Sequence, residues 1–340
     1  MPRVLLLGSG EFNRELVIAL RQLGAEVIAA DDHAGGQPDF FDLVVTAADV
    51  SLDTLPAGPA DGGPELVPSV RAVRLTADRE GLRKLAANQL GLPTAPFWFA
   101  GSVGELEAVA RHAGFPLRVK PGAGGKGHSV VGGPDDVEPA YQRAGSERVM
   151  AEMVVASEFD VTLLVVRGDG PRGPVIEFCP PIGHRRVDGV LESWQPQQMS
   201  TAALDAAKSI AARIVRELGG RGVFGVELMV NRDEVYFVDV SAFPREGSWV
   251  TLCSQRLSVF ELQARTILGL PVDTMLISPG AARAVPPDSD RGGLPGALDV
   301  PESDFRALGC RPAGVALATA RDPATARDRA RQVTLRLGAR

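Results

Sequence analysis

No run of roughly 18 apolar residues occurs anywhere in the chain, so the sequence offers no candidate membrane helix. The stretch Met1 to Gly8 has too short an apolar run for a secretion signal. Cysteine is scarce: Cys179, Cys253 and Cys310 lie far apart, lack metal-ligand spacing and cannot all pair within one chain. A reduced, cytoplasmic setting is the simplest account. Positive charge is not in excess either. The formal net charge of −6 argues against a general nucleic-acid binder, which would need a basic face. Internal repeats and low-complexity tracts are absent from the sequence. What remains is a chain of 340 residues, 45% hydrophobic and 23% charged, the profile of a globular protein of two or three domains.

The apolar run Val4 to Leu7 ends in Gly8-Ser-Gly-Glu11, a helical pattern follows to Leu23, and Glu26 to Ala30 reads as a second strand ending in Asp31-Asp32. This β-loop-α-β order opens a doubly wound domain. Leu43-Val-Val45 is a buried-strand candidate in an otherwise Gly/Pro/Asp/Ala-rich stretch, and Leu66-Val-Pro-Ser-Val70 reads as the last strand-like piece of that domain. Thr76 to Leu90 predicts one capped helix with Arg79, Arg83 and Lys84 on it. Strands are expected at Phe115 to Lys120, Ser129 to Val131, Val149 to Val155 and Phe159 to Val166. Leu204, Ala207, Ala211, Ile214, Val215 and Leu218 form one apolar stripe on a helix capped by Gly219. Gly183 to Gln198 reads as a non-helical loop, and loops that carry His, Arg, Trp and Gln side chains are often functional. Past Pro271 the chain is Pro/Gly/Asp-rich until Ala313 to Ala318 restores a strand, and an Arg-rich helix follows from about Pro323.

The most informative feature is a pair of carboxylates, Glu227 and Asp239, set 12 residues apart in two apolar runs around the turn residues Asn231, Arg232 and Asp233. If the runs pair as a hairpin, the two carboxylates lie nearly opposite each other on one face. Like charges there repel. A divalent cation reverses that, and Mg²⁺ commonly takes one or two protein carboxylates plus phosphate oxygens. A solvated hairpin face is the plain alternative.

Other motifs are weaker one by one. Gly8-Ser-Gly-Glu-Phe-Asn13 after a strand suggests a dinucleotide fingerprint, but Asn13 stands where the third glycine belongs. A tight turn with its amides aimed at a small anion fits better. Gly122-Ala-Gly-Gly-Lys-Gly127 could cradle phosphates, although Gly127 rather than Ser or Thr follows Lys126, so it is not a P-loop. A surface hairpin loop is the rival reading. Lys120 ends an apolar strand and needs an anionic partner, which a nucleotide phosphate or a structural ion pair would supply. Glu152 and Asp160 bracket Met153-Val-Val155, an extended segment able to offer backbone groups to an adenine edge.

Taken in order, these residues resemble the ATP-grasp enzymes, and among them the formate-dependent phosphoribosylglycinamide formyltransferases. The matching passages include Leu7-Gly-Ser-Gly-Glu11, Asp78-Arg-Glu-Gly81, Val119-Lys-Pro121, Gly125-Lys-Gly127, Gly183-His-Arg185, Glu192-Ser-Trp-Gln-Pro-Gln-Gln-Met-Ser200, Phe224-Gly-Val-Glu-Leu228 and Gly314-Val-Ala-Leu-Ala-Thr-Ala320. The resemblance implies an ATP-grasp fold, mixed α/β and α+β, with a shortened Rossmann-like domain over 1–75. It further implies an ATP-grasp domain over 76–272, with a lid at about 115–165, and a small β-rich domain over 273–340. Carried over by motif, Arg79, Lys120, Gly124, Gly125, Lys126, Gly127 and His128 would meet the phosphates of ATP. Glu152, Met153, Val154 and Val155 would form the adenine hinge, and Asp160 would hold ribose. Glu227 and Asp239 match Mg²⁺ ligands, and Lys120 and Arg245 would serve the reaction. Gly10, Glu11, Phe12, Glu246 and Arg311 would bind the amine substrate. The resemblance implies activation of a small acid, formate, as an acyl phosphate and its transfer to an amine, by a cytoplasmic homodimer.

Departures from the family pattern bear on the acceptor. A stretch is missing between about Asp49 and Val67, Phe243 replaces an arginine, Glu246 an aspartate and Pro312 a second arginine. Strand alternation would put Arg245 on the same face as Phe243, where it could compensate. These changes lead to the expectation that the acceptor is an amine other than glycinamide ribonucleotide. A carboxylate–amine ligase for another acid, a nucleotide-binding homologue without catalysis and, last, an NAD(P) oxidoreductase are the alternatives.

Overall fold

The computed structural model describes residues 1–8, 10–30, 41–46, 64–122, 127–170, 173–289, 291–309 and 312–338. Among them are three sheets. The first is parallel, in the order β2 (Glu26–Ala30), β1 (Arg3–Leu7), β3 (Leu43–Thr46), β4 (Glu65–Val67). Its central strands β1 and β3 are near-continuous apolar runs because both of their faces are covered, while the edge strand β2 stays largely exposed. Val4, Leu6 and Val45 pack on the helix Glu11–Gln22 through Leu16 and Leu20, while Leu5, Leu7 and Val44 fill the other side.

The second sheet is antiparallel, in the order β5 (Phe97–Ala100), β8 (Val149–Met153), β6 (Leu117–Pro121), β7 (Ser129–Val131). The helices Val103–Ala113 and Val137–Ala144 cover it, burying Leu106, Ala110, Val137 and Ala140 against Leu117, Val119 and Val149.

The third sheet spans the middle and the end of the chain. Its path is β14 (Glu234–Ser241), β13 (Gly222–Asn231), β9 (Phe159–Gly170), β11 (Ile182–Val187), β12 (Val190–Gln195), β15 (Gly280–Val285), β17 (Gly314–Thr319), β16 (Ser303–Ala307), with β10 (Gly173–Phe178) on the other half of β9. On its back face the helix Thr201–Leu218 lies under β9, β13 and β14, with Ala207, Ile214 and Leu218 meeting Leu163, Phe224 and Phe237. The helix Pro323–Arg336 covers β15 and β17 through Ala326, Ala330 and Val333. On the front face the helix Val259–Ile267 packs over Leu164, Val166 and Val223 and leaves the opposite end of β9 and β13 open.

Several sequence-based expectations change here. The strand before residue 70 ends at Val67, where Ser69 caps the helix Val70–Ala77. The single helix expected over 76–90 is broken: Asp78 accepts from the Gly81 N–H at 2.9 Å and starts a new helix, Arg79–Lys84, followed by a π-helical turn, Leu85–Gln89. The segment after Gly183 is not a loop but the hairpin β11–β12. Alternation was hidden there because both faces carry polar groups. The stretch after Pro271 contains β15 and β16. Gly280 and its alanine neighbours gave a weak strand signal because helix Thr251–Ser254 packs close: a Cβ on Gly280 would sit 3.0 Å from Cys253 Sγ.

Glu192 on β12 is fully buried and pins the C-terminal helix to the sheet. Its carboxylate accepts from Arg185 Nε at 2.9 Å, Arg327 Nη2 at 3.0 Å, and Arg283 Nη1 and Arg331 Nη2 at 3.3 Å. Burial pushes this carboxyl up, but the arginines, Arg327 first, more than offset it and hold it below its usual range. A depressed folded-state value means that the contribution is present above the ordinary carboxylate range and is lost as pH falls through the folded value. Glu192→Gln is expected to cost about 1.5–3 kcal/mol at neutral pH. In thermal unfolding from pH 7 to 3, the gap between wild type and variant should close at the acid end.

Candidate functional site

β13 and β14 pair from the turn outward as Asn231↔Glu234, Val230↔Val235, Met229↔Tyr236 and Leu228↔Phe237. Unbroken pairing would next oppose Glu227 and Val238. Instead the register shifts by one and Glu227 faces Asp239. Val238 is thus the extra residue of a β-bulge. Phe237 points into the core beneath the sheet, yet Asp239, two residues on, emerges on the front face beside Glu227. Regular alternation would have placed Asp239 with Phe237 on the buried side.

The guanidinium of Arg245 lies against both carboxylates, 3.5 Å from Glu227 Oε1 and 3.4 Å from Asp239 Oδ2. Burial pushes the Glu227 carboxyl up; Arg245 offsets part of this and Asp239 adds to it. Arg245 does not reach this place by strand alternation. The strand ends at Ser241, whose hydroxyl donates to Phe243 O at 2.7 Å and accepts from Phe243 N at 3.2 Å. That turn sends Phe243 onto the apolar core and Arg245 to the carboxylates, so the two do not share a face as expected. Among the described residues no group of three or more His, Cys, Asp and Glu gathers. Two opposed hard-oxygen donors fit Mg²⁺ completed by phosphate oxygens, and they do not fit a metal held by protein alone.

Behind the bulge lies Arg83, 3% exposed. Its Nη1 donates to Phe237 O at 3.3 Å and its Nη2 to Val238 O at 2.9 Å, so one buried cation satisfies consecutive carbonyls at the bulge. Nη2 also donates to Glu152 Oε1, and Lys120 Nζ stands 2.5 Å from Glu152 Oε2. Glu152, 5% exposed, is pushed up by burial but pulled further down by Lys120 and then Arg83, leaving it ionised well below the usual range. The partner of Lys120 in the structure is therefore a carboxylate of β8. Glu152, expected at an adenine hinge, has both side-chain oxygens engaged by cations. Arg83 carried no role in the sequence reading; its spacing from Arg79, one helical turn, was the available signal.

Around Lys120 the remaining cations collect. Arg79 Nη1 donates to Pro121 O, and burial, then Arg79, Lys120 and Arg118, hold His128 below its ordinary value, so its imidazole is neutral at pH 7. Gly124, Gly125 and Lys126 lie outside the described residues. Gly127 is required by packing: a Cβ there would sit 1.8 Å from Arg143 O. In the segment expected to form the hinge, Met153 N donates to Pro96 O at 2.9 Å and Val154 N to Pro116 O at 3.2 Å, and both side chains are exposed. Val155 follows, and Asp160 on β9 pairs with Met229 and His184 on the face that carries Glu227.

Gly10, Glu11 and Phe12 start the first helix and dock on the far end of the chain. Glu11 Oε1 accepts from Gly309 N at 2.5 Å, and the Phe12 ring stacks on Trp249 at 4.7 Å between centroids. Glu246 lies 3.6 Å from Arg186 Nη2 and borders a pocket with Leu191, Ser193, Trp249, Ala282 and Pro312. Trp249 and Arg186 were not picked out individually from the sequence. Arg311 lies outside the described residues. The structure thus gathers Arg79, Lys120, His128 and Glu152 near one another, Glu227, Asp239 and Arg245 together, and Phe12 and Glu246 beside Trp249, while Glu11 bonds to Gly309.

The ATP-grasp domain family matches residues 85–260. The chain belongs to the ATP-grasp family. It is 42% identical to the formate-dependent phosphoribosylglycinamide formyltransferase of Corynebacterium efficiens, over 96% of this chain and 93% of that protein. It superposes with a TM-score of 0.85 and 58% identity on glycinamide-RNase-transformylase T from Mycobacterium tuberculosis, over 98% and 99% of the two chains. A carboxyaminoimidazole ribonucleotide synthase from Aspergillus clavatus, complexed with ATP, shares the fold at 19% identity and a TM-score of 0.87, over 100% and 99%. The protein is an ATP-grasp enzyme of the formyltransferase type, and ATP-grasp enzymes use ATP. Among the described residues no helix is long and apolar enough to cross a membrane.

Deleting Val238 tests the bulge. With the extra residue gone, alternation from Phe237 carries Asp239 directly opposite Glu227 in a regular ladder. The variant should keep native circular dichroism and an ADP affinity that still responds to Mg²⁺. Loss of that response would show that the opposition of the two carboxylates is not what binds the metal.

Proposed function

We propose that this enzyme uses ATP and Mg²⁺ to activate formate as formyl phosphate and passes the formyl group to the amine of glycinamide ribonucleotide. The observation that carries the first half is the opposition of Glu227 and Asp239 on the open end of the sheet, with Lys120 and Arg245 beside them. In the first step a formate oxygen attacks the γ-phosphorus and ADP departs. In the second the amine attacks the formyl carbon, the bond to phosphate breaks, and the nitrogen loses a proton. Bound Mg²⁺ would neutralise charge on the phosphate oxygens during transfer, as in phosphoryl transfer generally. Glu227 and Asp239 would hold it. Lys120, Arg79 and the neutral His128 would line the phosphate path, and Arg245 would follow the charge on the transferred group.

The acceptor rests on other grounds. The departures at Phe243, Glu246 and Pro312 suggested a different amine. Relatives named for phosphoribosylglycinamide, 42–43% identical across nearly their whole length, weigh against that expectation. Glu246 also keeps a carboxylate where the resemblance expects an aspartate, beside the Trp249 ring.

ADP release should require ATP, Mg²⁺ and formate, with turnover rising at least tenfold when glycinamide ribonucleotide is added. Formate stimulation that this amine leaves unchanged would retain the activation step and refute the acceptor. No response to formate would refute both. Asp239→Asn is expected to abolish turnover with the fold intact.

A further inference from the structure

We propose that the back face of the long sheet carries a second anion site, built from Arg185, Arg283, Arg327 and Arg331 around Glu192, that takes a small ligand with clustered phosphate oxygens. The four arginines come from β11, β15 and the C-terminal helix, where Arg327 and Arg331 are one turn apart. Alternation along β12 sends Leu191 and Ser193 to the pocket beside Glu246 and Glu192 to the opposite face, so this cluster is separate from the reaction site.

The cluster carries excess positive charge. Glu192 receives five N–H donors, two of them from Arg327, and a carboxylate has about four acceptor sites, so it is saturated. Asp328, 3.1 Å from Arg331 Nη1, is the other carboxylate paired with these arginines. Four guanidiniums against two carboxylates leave the cluster at +2, in a chain whose formal charge is −6. Glu152 and Glu80, by comparison, each bind two cations. Bringing four like charges together is unfavourable, and an added anion removes the excess.

The guanidiniums are also preorganised. Glu192 fixes one edge of each guanidinium, and the Arg327 guanidinium lies 4.1 Å over the centre of the Trp194 ring, which is itself held by its Nε1 donating to Gln197 Oε1 at 2.7 Å. Arg185 gives Glu192 only its Nε and is 48% exposed; Arg331 is 38% exposed. Forked donors held in place and open to water match phosphate oxygens better than flexible lysines do.

The test uses the full chain saturated with ADP and Mg²⁺, so that the nucleotide site is filled, titrated with inorganic tripolyphosphate by calorimetry. One further equivalent should bind, more weakly as salt rises, and the Trp194 indole N–H resonance should shift. In Arg327→Gln/Arg331→Gln the affinity should fall at least tenfold, since charge-assisted hydrogen bonds to the anion are lost, while ADP affinity stays the same. Arg185→Gln, at a half-exposed position, gives the same direction should the double variant not fold. A GTP arm separates a nucleotide from an inorganic polyphosphate, the tighter binder naming the source. No binding to the ADP-saturated protein, an unmoved Trp194 signal, or equal affinity in the variants would overturn the proposal.

Discussion

The buried carboxylate of Glu152 holds together the parts of this protein that have to act together. It sits on a strand of the small sheet and grips Lys120 on the neighbouring strand with one oxygen and Arg83, from the helix Arg79–Lys84, with the other. Arg83 in turn binds the carbonyls of Phe237 and Val238, on the edge strand of the large sheet. The small sheet, the helix and the edge of the large sheet are thus joined through Glu152 and the arginine it holds. Any of these charges alone at that depth would be strongly unfavourable, and removing one partner of such a network typically costs about 3–5 kcal/mol.

That arrangement explains why a β-bulge persists where a regular ladder would leave fewer unpaired groups. Carbonyls displaced from the ladder need donors. Arg83 supplies them from a fixed position, and the bulge then turns Asp239 outward to meet Glu227. The geometry of the two opposed carboxylates is in this sense determined from beneath the sheet. The same buried ion group keeps Lys120 extended at the root of the glycine-rich segment, close enough to influence both His128 and Glu227.

Much of this was legible in the sequence, and the exceptions have physical causes. The parallel strands, the helix Thr201–Leu218 and the carboxylate hairpin have clear periodicity, and the family resemblance located the motifs. A hairpin count from Asn231–Glu234 opposes Glu227 to Val238, however, and only the bulge, which has no short-range signature, brings Asp239 around. Glu152 was read for a ligand role because its pairing with Arg83 spans 69 residues. The β11–β12 hairpin was read as a loop because Arg186 faces one cluster and Arg185 another, erasing the alternation that marks a half-buried strand. Arg245 was expected to share a face with Phe243 by alternation, whereas a turn set by Ser241 parts the two and brings Arg245 to the carboxylates.

The most direct test replaces the buried ion pair by apolar side chains of similar length, Arg83→Met with Glu152→Met, which avoids stranding either charge of that pair. The crystal structure of this variant with ADP and Mg²⁺ should show Asp239 withdrawn from Glu227 and Lys120 displaced, with Mg²⁺-dependent nucleotide affinity reduced accordingly. Asp239 still facing Glu227 at wild-type affinity would mean that the bulge is set by the strands alone and that the buried network does not position the site.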